Sequence, residues 1–160
     1  MKRLILLLLS VFAVTAAQAQ QKVTLAQCQG DTVTYLKKTF DEGKSRFIGQ
    51  PFSKVIDEWR SQIPVGRILF ADTGNWPTKE SEKYLVKGAS LYFITEREVN
   101  SRNRRKEPYY RLSIQFAPPF DKKINDYWQL QEQEDMQLGP QLYEQIKDYI
   151  VESIAVVETK

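Results

Sequence analysis

The chain has no histidine and only one cysteine among its 160 residues. Without histidine, the serine–histidine–aspartate triad, the cysteine–histidine dyad and histidine-ligated zinc are all excluded. The motifs G-x-S-x-G, S-x-x-K, C-x-x-C and G-x-x-x-x-G-K are also missing. The common designs for nucleophilic, redox and phosphate-binding chemistry are therefore absent. We expect a protein that is not an enzyme and has no cofactor and no metal site.

The single cysteine, Cys28, also limits how the fold is stabilised. A lone cysteine cannot close an intrachain disulfide, so packing has to hold the domain together. We expect Cys28 to be a small, partly buried apolar residue. An intermolecular bridge and a reactive thiol are the alternatives.

The one long apolar run lies in residues 1–19. Two cations precede the run Leu4–Val14, and an A-x-A site follows at Ala17–Ala19. This pattern predicts a secretory signal peptide cleaved after Ala19, with an uncleaved membrane anchor as the alternative. We expect a single domain over residues 20–160 that does not span the membrane and is periplasmic or secreted.

Removal of the signal changes the charge balance of the chain. The full sequence has 23 basic and 20 acidic residues and a net charge of +3. When Lys2 and Arg3 leave with the signal, 21 basic residues remain against 20 acidic ones, which is a net charge of +1. Overall charge therefore gives no support for a polyanionic partner, and any such partner has to be argued from local clusters.

Two helices are predicted near the start of the mature chain. Asp31 is typical of an N-cap, and the first helix is expected to end at Gly43. The second is expected to begin with Pro51 at its first position and to carry Glu58 on its polar face. We expect Trp59 to be a core aromatic, with a ligand platform as the alternative. The apolar stripe that predicts this helix is Phe52, Val55, Ile56, Trp59 and Ile63.

Beyond Pro64 the apolar pattern favours strands. The segment 90–99 is apolar on both faces from Leu91 to Ile94, which indicates that a helix covers part of it. The segment 110–118 alternates between apolar and polar residues, as a half-buried antiparallel strand does. The predicted strands are residues 65–72, 90–99, 110–118 and 150–158.

The apolar pattern of the C-terminal part fits more than one secondary structure. Residues 120–138 fit either a helix or a long loop, and a short helix is predicted from Gly139. In the last strand we expect Ile150, Ile154 and Val156 on one face, with a continued helix as the alternative. Helices followed by strands indicate an α+β fold, with N-terminal helices on an antiparallel sheet of about four strands in a single-layer sandwich.

Two resemblances follow from these segments. The stretch from Phe47 to Ile63, together with the strands after it, resembles small outer-membrane assembly lipoproteins and β-lactamase inhibitory proteins, although the lipoprotein cysteine is missing. The whole chain is similar to small exported proteins of Bacteroidetes that have no assigned activity. The residues that carry this likeness are Gln20-Gln21 after Ala19, FIGQPFSKVI and the closing ESIAVVE. Both resemblances imply a non-catalytic envelope protein, and neither transfers a site residue.

The segment REVNSRNRRKEPYYR, residues 97–111, carries six cations within fifteen positions. Because residues 99–109 join two predicted strands, we expect an exposed hairpin loop there. Solvated cations at a loop tip discourage edge pairing. The alternative is a binding site in which guanidinium groups contact phosphate or carboxylate. The candidate binding residues in this segment are Arg102, Arg104, Arg105, Lys106 and Tyr109.

Three other aromatic residues are candidate contacts. Trp76 lies in the turn-rich stretch TGNWPTKESE, where no apolar stripe is present to bury it. If the protein is a small-ligand or glycan binder, which is the alternative function, Tyr127 and Trp128 are expected to line a pocket between the sheet and residues 120–138.

The sequence thus favours an exported, non-catalytic interaction module that binds a protein or an envelope component. Its expected surface is an exposed sheet face and the loops that hold Trp76 and the cations. The alternatives are a small-ligand or acidic-glycan binder and a carboxylate-based hydrolase. An exported protein rarely meets nucleic acid, so nucleic acid is not an expected partner. The carboxylates available for a hydrolase are Asp57, Glu58, Glu132, Glu134 and Asp135.

Overall fold

The computed structural model describes residues 22–63, 67–69, 85–121 and 138–159, together with positions 123, 126 and 129. The α-helices of these residues are α1 (Thr32–Leu36), α2 (Phe52–Gln62), α3 (Glu96–Arg105) and α4 (Pro140–Ile146). The strands are β1 (Arg67–Leu69), β2 (Gly88–Tyr92), β3 (Tyr109–Phe116) and β4 (Val151–Thr159). Neighbouring strands pair antiparallel, in the order β1-β2-β3-β4. The predicted α+β class with an antiparallel sheet is confirmed.

Helix α1 begins at the predicted cap. The Asp31 carboxylate accepts hydrogen bonds from the Val33 N–H at 3.0 Å and the Thr34 hydroxyl at 2.5 Å. These bonds, that of the hydroxyl above all, lower the pKa of Asp31. The chain continues as a π-helical segment, Lys37–Glu42, and turns at Gly43. A Cβ at Gly43 would lie 2.5 Å from a backbone oxygen, so only glycine fits there.

Helix α2 supplies the centre of the core. All five residues of its predicted stripe are at most 4 % exposed, and Trp59 is completely buried with its ring 6.1 Å from that of Phe40. The interpretation of Trp59 as a core aromatic is therefore confirmed. The helix begins one residue later than predicted, because Pro51 has the extended ψ of 146° and forms a bridge with Ile150. Cys28 belongs to the same core and is buried, more completely than the partial burial expected.

The inner face of the sheet packs on these helices. Leu112 of β3 pairs with Leu91 on one side and Val156 on the other, and Ile114 pairs with Ala89 and Ile154. Side chains alternate between the two faces of a strand, so this register places all of them on one face. They join α1, α2 and α4 in one hydrophobic core.

The segment after β2 differs from the prediction. Strand β2 ends at Tyr92, so the expected strand over 90–99 is confirmed only for residues 90–92. Residues Glu96–Arg105 form α3, so the hairpin loop expected over 99–109 was wrong. Val99 of α3 packs against Tyr92 and Tyr109, whose side chains point away from the inner face. Helices therefore cover parts of both faces, in keeping with the apolar two-sided pattern of this region.

The C-terminal segment is a strand, as predicted, and not the alternative helix. Ile150, however, does not share the buried face with Ile154. Ile150 is 41 % exposed, whereas Val151 is completely buried. Gln115 pairs with Ser153 and Phe116 with Val151, so β4 has one extra residue at this point. Such a bulge reverses which residues face the core.

The outer edge of β4 is partly covered. The Val156 N–H donates to the Asp41 carboxylate at 2.7 Å, and the Val151 N–H donates to the Gln50 carbonyl at 2.9 Å. The Gly49 N–H in turn donates to the Val151 carbonyl at 2.8 Å. These bonds occupy backbone groups through which another strand would pair.

Candidate functional site

The side of the sheet opposite the main core presents a surface of small and polar side chains. We call this surface the outer face. Its residues lie on β3 and β4 and are partners of one another in the pairing of these two strands. None of them is buried. Two cross-strand bonds order it: Arg111 donates to the Ser90 hydroxyl at 2.6 Å, and Ser153 donates to the Gln115 side-chain oxygen at 2.8 Å. The residues of the outer face are Arg111, Ser113, Gln115, Ser153, Ala155 and Val157.

Helix α3 packs on the same side of the sheet as the outer face. Its formation is favoured mainly by the residues at its N-terminus and C-terminus. The Thr95 hydroxyl accepts the Glu98 N–H at 3.3 Å, which is an N-cap contact. Glu96 and Glu98 lie in the first turn, and three arginines lie in the last turn. Both charge placements favour the helix dipole. The helix ends at Lys106, which has a φ of 55°, and the Glu107 N–H donates back to the Arg102 carbonyl at 2.9 Å.

Two of the candidate cations are engaged within this helix and the turn after it. Arg102 contacts the Glu98 carboxylate through Nε at 2.8 Å and donates to the Pro108 carbonyl at 3.1 Å. Arg105 contacts the Glu107 carboxylate at 2.8 Å and the Ser101 hydroxyl at 2.5 Å. The hydrogen bond from Arg105 lowers the pKa of Glu107. Arg102 and Arg105 therefore have structural partners.

The other three cations of α3 and the turn after it are exposed to solvent. Arg97, Arg104 and Lys106 are exposed, and their side chains contact no acceptor among the residues that the structure describes. Arg97 was not among the candidate site residues predicted from the sequence. The signal that identifies it is the T-x-x-E pattern at Thr95–Glu98, which starts a helix and places Arg97 seven residues before Arg104.

Of the four candidate aromatic residues, the structure describes only Tyr109. Tyr109 is 7 % exposed, and its ring centre lies 6.2 Å from that of Tyr92 beneath α3, so its ring is packed against the sheet. Trp76, Tyr127 and Trp128 lie outside the described residues, as does most of the pocket predicted beside 120–138.

The two neighbouring carboxylates of α2, Asp57 and Glu58, differ in their burial. Asp57 is exposed, but Glu58 is only 8 % exposed, so its expected place on the polar face was wrong. Its carboxylate lies 3.3 Å from Lys22 Nζ and 3.4 Å from Arg46, and it accepts the Tyr35 hydroxyl at 3.1 Å. The sequence gives no sign of this burial because the neutralising cations are distant in the chain.

The Tyr35 hydroxyl is affected in turn. Burial, with the nearby Glu58 carboxylate as the second cause, raises its pKa well above the usual value. Glu58 thus ties the N-terminal segment and the Lys44–Arg46 turn to α2. This arrangement neutralises the carboxylate, and in the described part of the chain its partners are two cations and a tyrosine hydroxyl.

An open depression of about 380 Å³ lies beside Cys28 and is lined by polar side chains. Two of its groups are engaged already, because the Gln27 side chain accepts the Thr24 N–H at 2.8 Å and Asp31 caps α1. Within the described ranges there is no group of three or more metal-ligating side chains. No helix of the described residues is long and apolar enough to cross a membrane.

Comparison with protein-family models, with curated proteins and with solved structures gives no match. The assignment of a site therefore rests on the geometry of this chain. The outer face, none of whose residues is buried, and the exposed cations of α3 form the candidate surface.

Proposed function

We propose that this chain is an exported, non-catalytic interaction module that binds another envelope protein through the outer face of its sheet and through α3. The observation that carries the proposal is that none of the outer-face residues is buried, although β3 pairs on both sides, and that Ala155 is exposed. A central strand normally has one face in the core and leaves the other for solvent or a partner. Here that other face carries the small side chains of Ser113, Ser153 and Ala155 between those of Arg111 and Gln115.

The division between the two faces supports binding on the outer one. The inner face is filled by large apolar side chains from α1, α2 and α4. The outer face offers hydroxyl, amide and guanidinium groups next to the short apolar contacts of Ala155 and Val157. Mixed polar and apolar surface of this kind is typical of interfaces that form and dissociate. A sheet of about four strands with helices on its inner side provides the rigid support.

Export is part of the proposal. It is supported by the cations, the apolar run and the A-x-A site of residues 1–19. Lack of catalytic activity is supported by the absence of histidine and by the two cations that neutralise Glu58.

The test is a binding measurement with a purified partner. The full chain, expressed with its own N-terminal segment and purified after export, is used to capture proteins from envelope extract. The captured protein is then produced separately, and its Kd is measured for native chain and variants. We expect Ala155→Arg to weaken binding by about tenfold or more, because an arginine cannot be accommodated under a closely packed partner.

The matched control is Ser45→Arg, which adds the same charge at an exposed position on the helical side of the molecule. Equal Kd values for the two variants would place the interface elsewhere. If purified acidic polysaccharide binds the native chain and no captured protein does, the glycan-binding alternative replaces this proposal.

A further inference from the structure

Helix α3 presents three donor side chains on the side that faces away from the sheet. Val99 is the buried residue of the helix, and Arg97 and Arg104 lie about 150° around the helix axis from it. They are seven residues apart, so their Cα atoms are separated by about 10.5 Å along the helix. Asn100 lies between them and is also exposed. We call Arg97, Asn100 and Arg104 the α3 crest.

The crest side chains differ from Arg102 and Arg105 in having no acceptor among the described residues. Arg102 and Arg105 use Glu98, Glu107 and backbone or hydroxyl oxygens of the same segment. The crest side chains have no such contacts among the described residues. The helix dipole is stabilised by cations near the C-terminus of a helix and destabilised by cations near its N-terminus. Arg97 lies in the first turn of α3, so its charge is unfavourable for the helix. Its presence there is not explained by the fold of α3.

We infer that the α3 crest binds carboxylate groups on the partner protein, which therefore presents an acidic patch to this side of the sheet. The inference rests on the proposed function and adds the chemistry of the partner. Guanidinium groups form paired hydrogen bonds with carboxylates, and the Asn100 amide adds a donor between them. Ion pairs at the edge of an interface mainly set specificity and association rate, which fits the position of the crest on a helix beside the outer face.

The surroundings of the crest favour protein carboxylates over a membrane. Residues 96–107 carry five cations against three carboxylates, so the local excess of positive charge that an anionic membrane surface would attract is only two. The two exposed large apolar residues in the described part of the chain, Ile48 and Ile150, are outside α3. The crest therefore lacks the apolar anchor that membrane-surface helices use.

The experiment uses the exported full chain and poly-L-glutamate as the probe, at low salt, with backbone and arginine side-chain resonances followed by NMR. We expect the largest shifts at the three crest residues. The variant with Arg97→Gln and Arg104→Gln should bind about fivefold more weakly, as the loss of two exposed ion pairs implies. Glutamine preserves helix propensity, and thermal melts confirm that the variant is folded.

The matched control changes Lys38 and Lys44 to Gln, which removes the same charge from exposed positions on the helical side. Less than a twofold change in this control supports the inference. Equal weakening in both double variants, or shifts spread over all cations, overturns it, because binding then follows net charge alone. Crest-dependent binding to vesicles with anionic phospholipid, without binding to poly-L-glutamate, overturns it in favour of a membrane.

The two proposals fail in different ways. Ala155→Arg should leave poly-L-glutamate binding unchanged, because it does not alter the crest. If Ala155→Arg abolishes partner binding while the crest variant binds both partner and probe as the native chain does, the proposed function stands and this inference is wrong.

Discussion

Helices α2 and α3 are nearly equal in length, with eleven and ten residues, but they are stabilised by different means. Helix α2 lies on the inner side of the sheet and has four apolar side chains that are completely buried. Helix α3 lies on the outer side and buries only Val99. Burial of one large apolar side chain contributes about 1.5–3 kcal/mol. The inner side therefore carries most of the stability, which is consistent with the proposal that the outer side binds a partner.

The largest difference between the two helices is expected from truncating their most buried side chains. Trp59→Ala in α2 removes a completely buried ring and should lower the free energy of unfolding by about 3–5 kcal/mol. Urea denaturation followed by circular dichroism measures this loss. A change below about 1 kcal/mol would contradict the assignment of the core to the inner side.

The equivalent truncation in α3 should have a smaller effect. Val99→Ala removes two methyl groups that contact Tyr92 and Tyr109, so the expected loss is about 1.5 kcal/mol. The same urea experiment measures it. A loss as large as that of Trp59→Ala would mean that α3 is part of the main core, and the comparison of the two sides would fail.

The N-cap of α3 can be tested separately from its packing. Thr95→Ala removes the hydroxyl that accepts the Glu98 N–H and should lower the free energy of unfolding by about 1 kcal/mol. Thr95→Ser is the control, since it retains an accepting hydroxyl, and it should have little effect. If both variants unfold like the native chain, the helix does not depend on this cap.

The smallest expected effect is a gain in stability. Lys106 adopts a left-handed conformation at the end of α3, with a φ of 55°. Replacing it with glycine removes a conformational cost of up to about 1 kcal/mol. Thermal unfolding should show a slightly higher Tm for Lys106→Gly than for the native chain. A lower Tm would indicate that the lysine side chain stabilises the turn.

The same comparison explains why the sequence predicts one helix and not the other. Helix α2 has an apolar residue at each turn, so its periodicity alone identifies the buried stripe. Helix α3 has the single apolar residue Val99, so periodicity carries no signal and the arginines resemble a solvated loop. The features that favour this helix are local: the N-cap at Thr95, the acidic residues of its first turn and the arginines of its last turn. A sequence analysis based on caps finds this helix, whereas one based on apolar spacing does not.

Long-range features are the other group that the sequence does not reveal. The burial of Glu58 depends on Lys22 and Arg46, whose proximity appears only after folding. The exposure of Ile150 depends on a bulge, which shifts the alternation of β4 without any marker in its sequence. The alternation of β3 and the cap at Asp31 are local, and both were predicted from the sequence.

The most direct test of the account is hydrogen exchange of the chain, free and saturated with its purified partner. Because α3 has few buried contacts, its amides should exchange by local opening in the free chain, and a bound partner should slow that exchange. We expect slower exchange in residues 96–105 on binding and unchanged exchange in residues 32–62. Unchanged exchange in α3, with slower exchange in 32–62, would contradict the claim that the inner side holds the fold and the outer side binds.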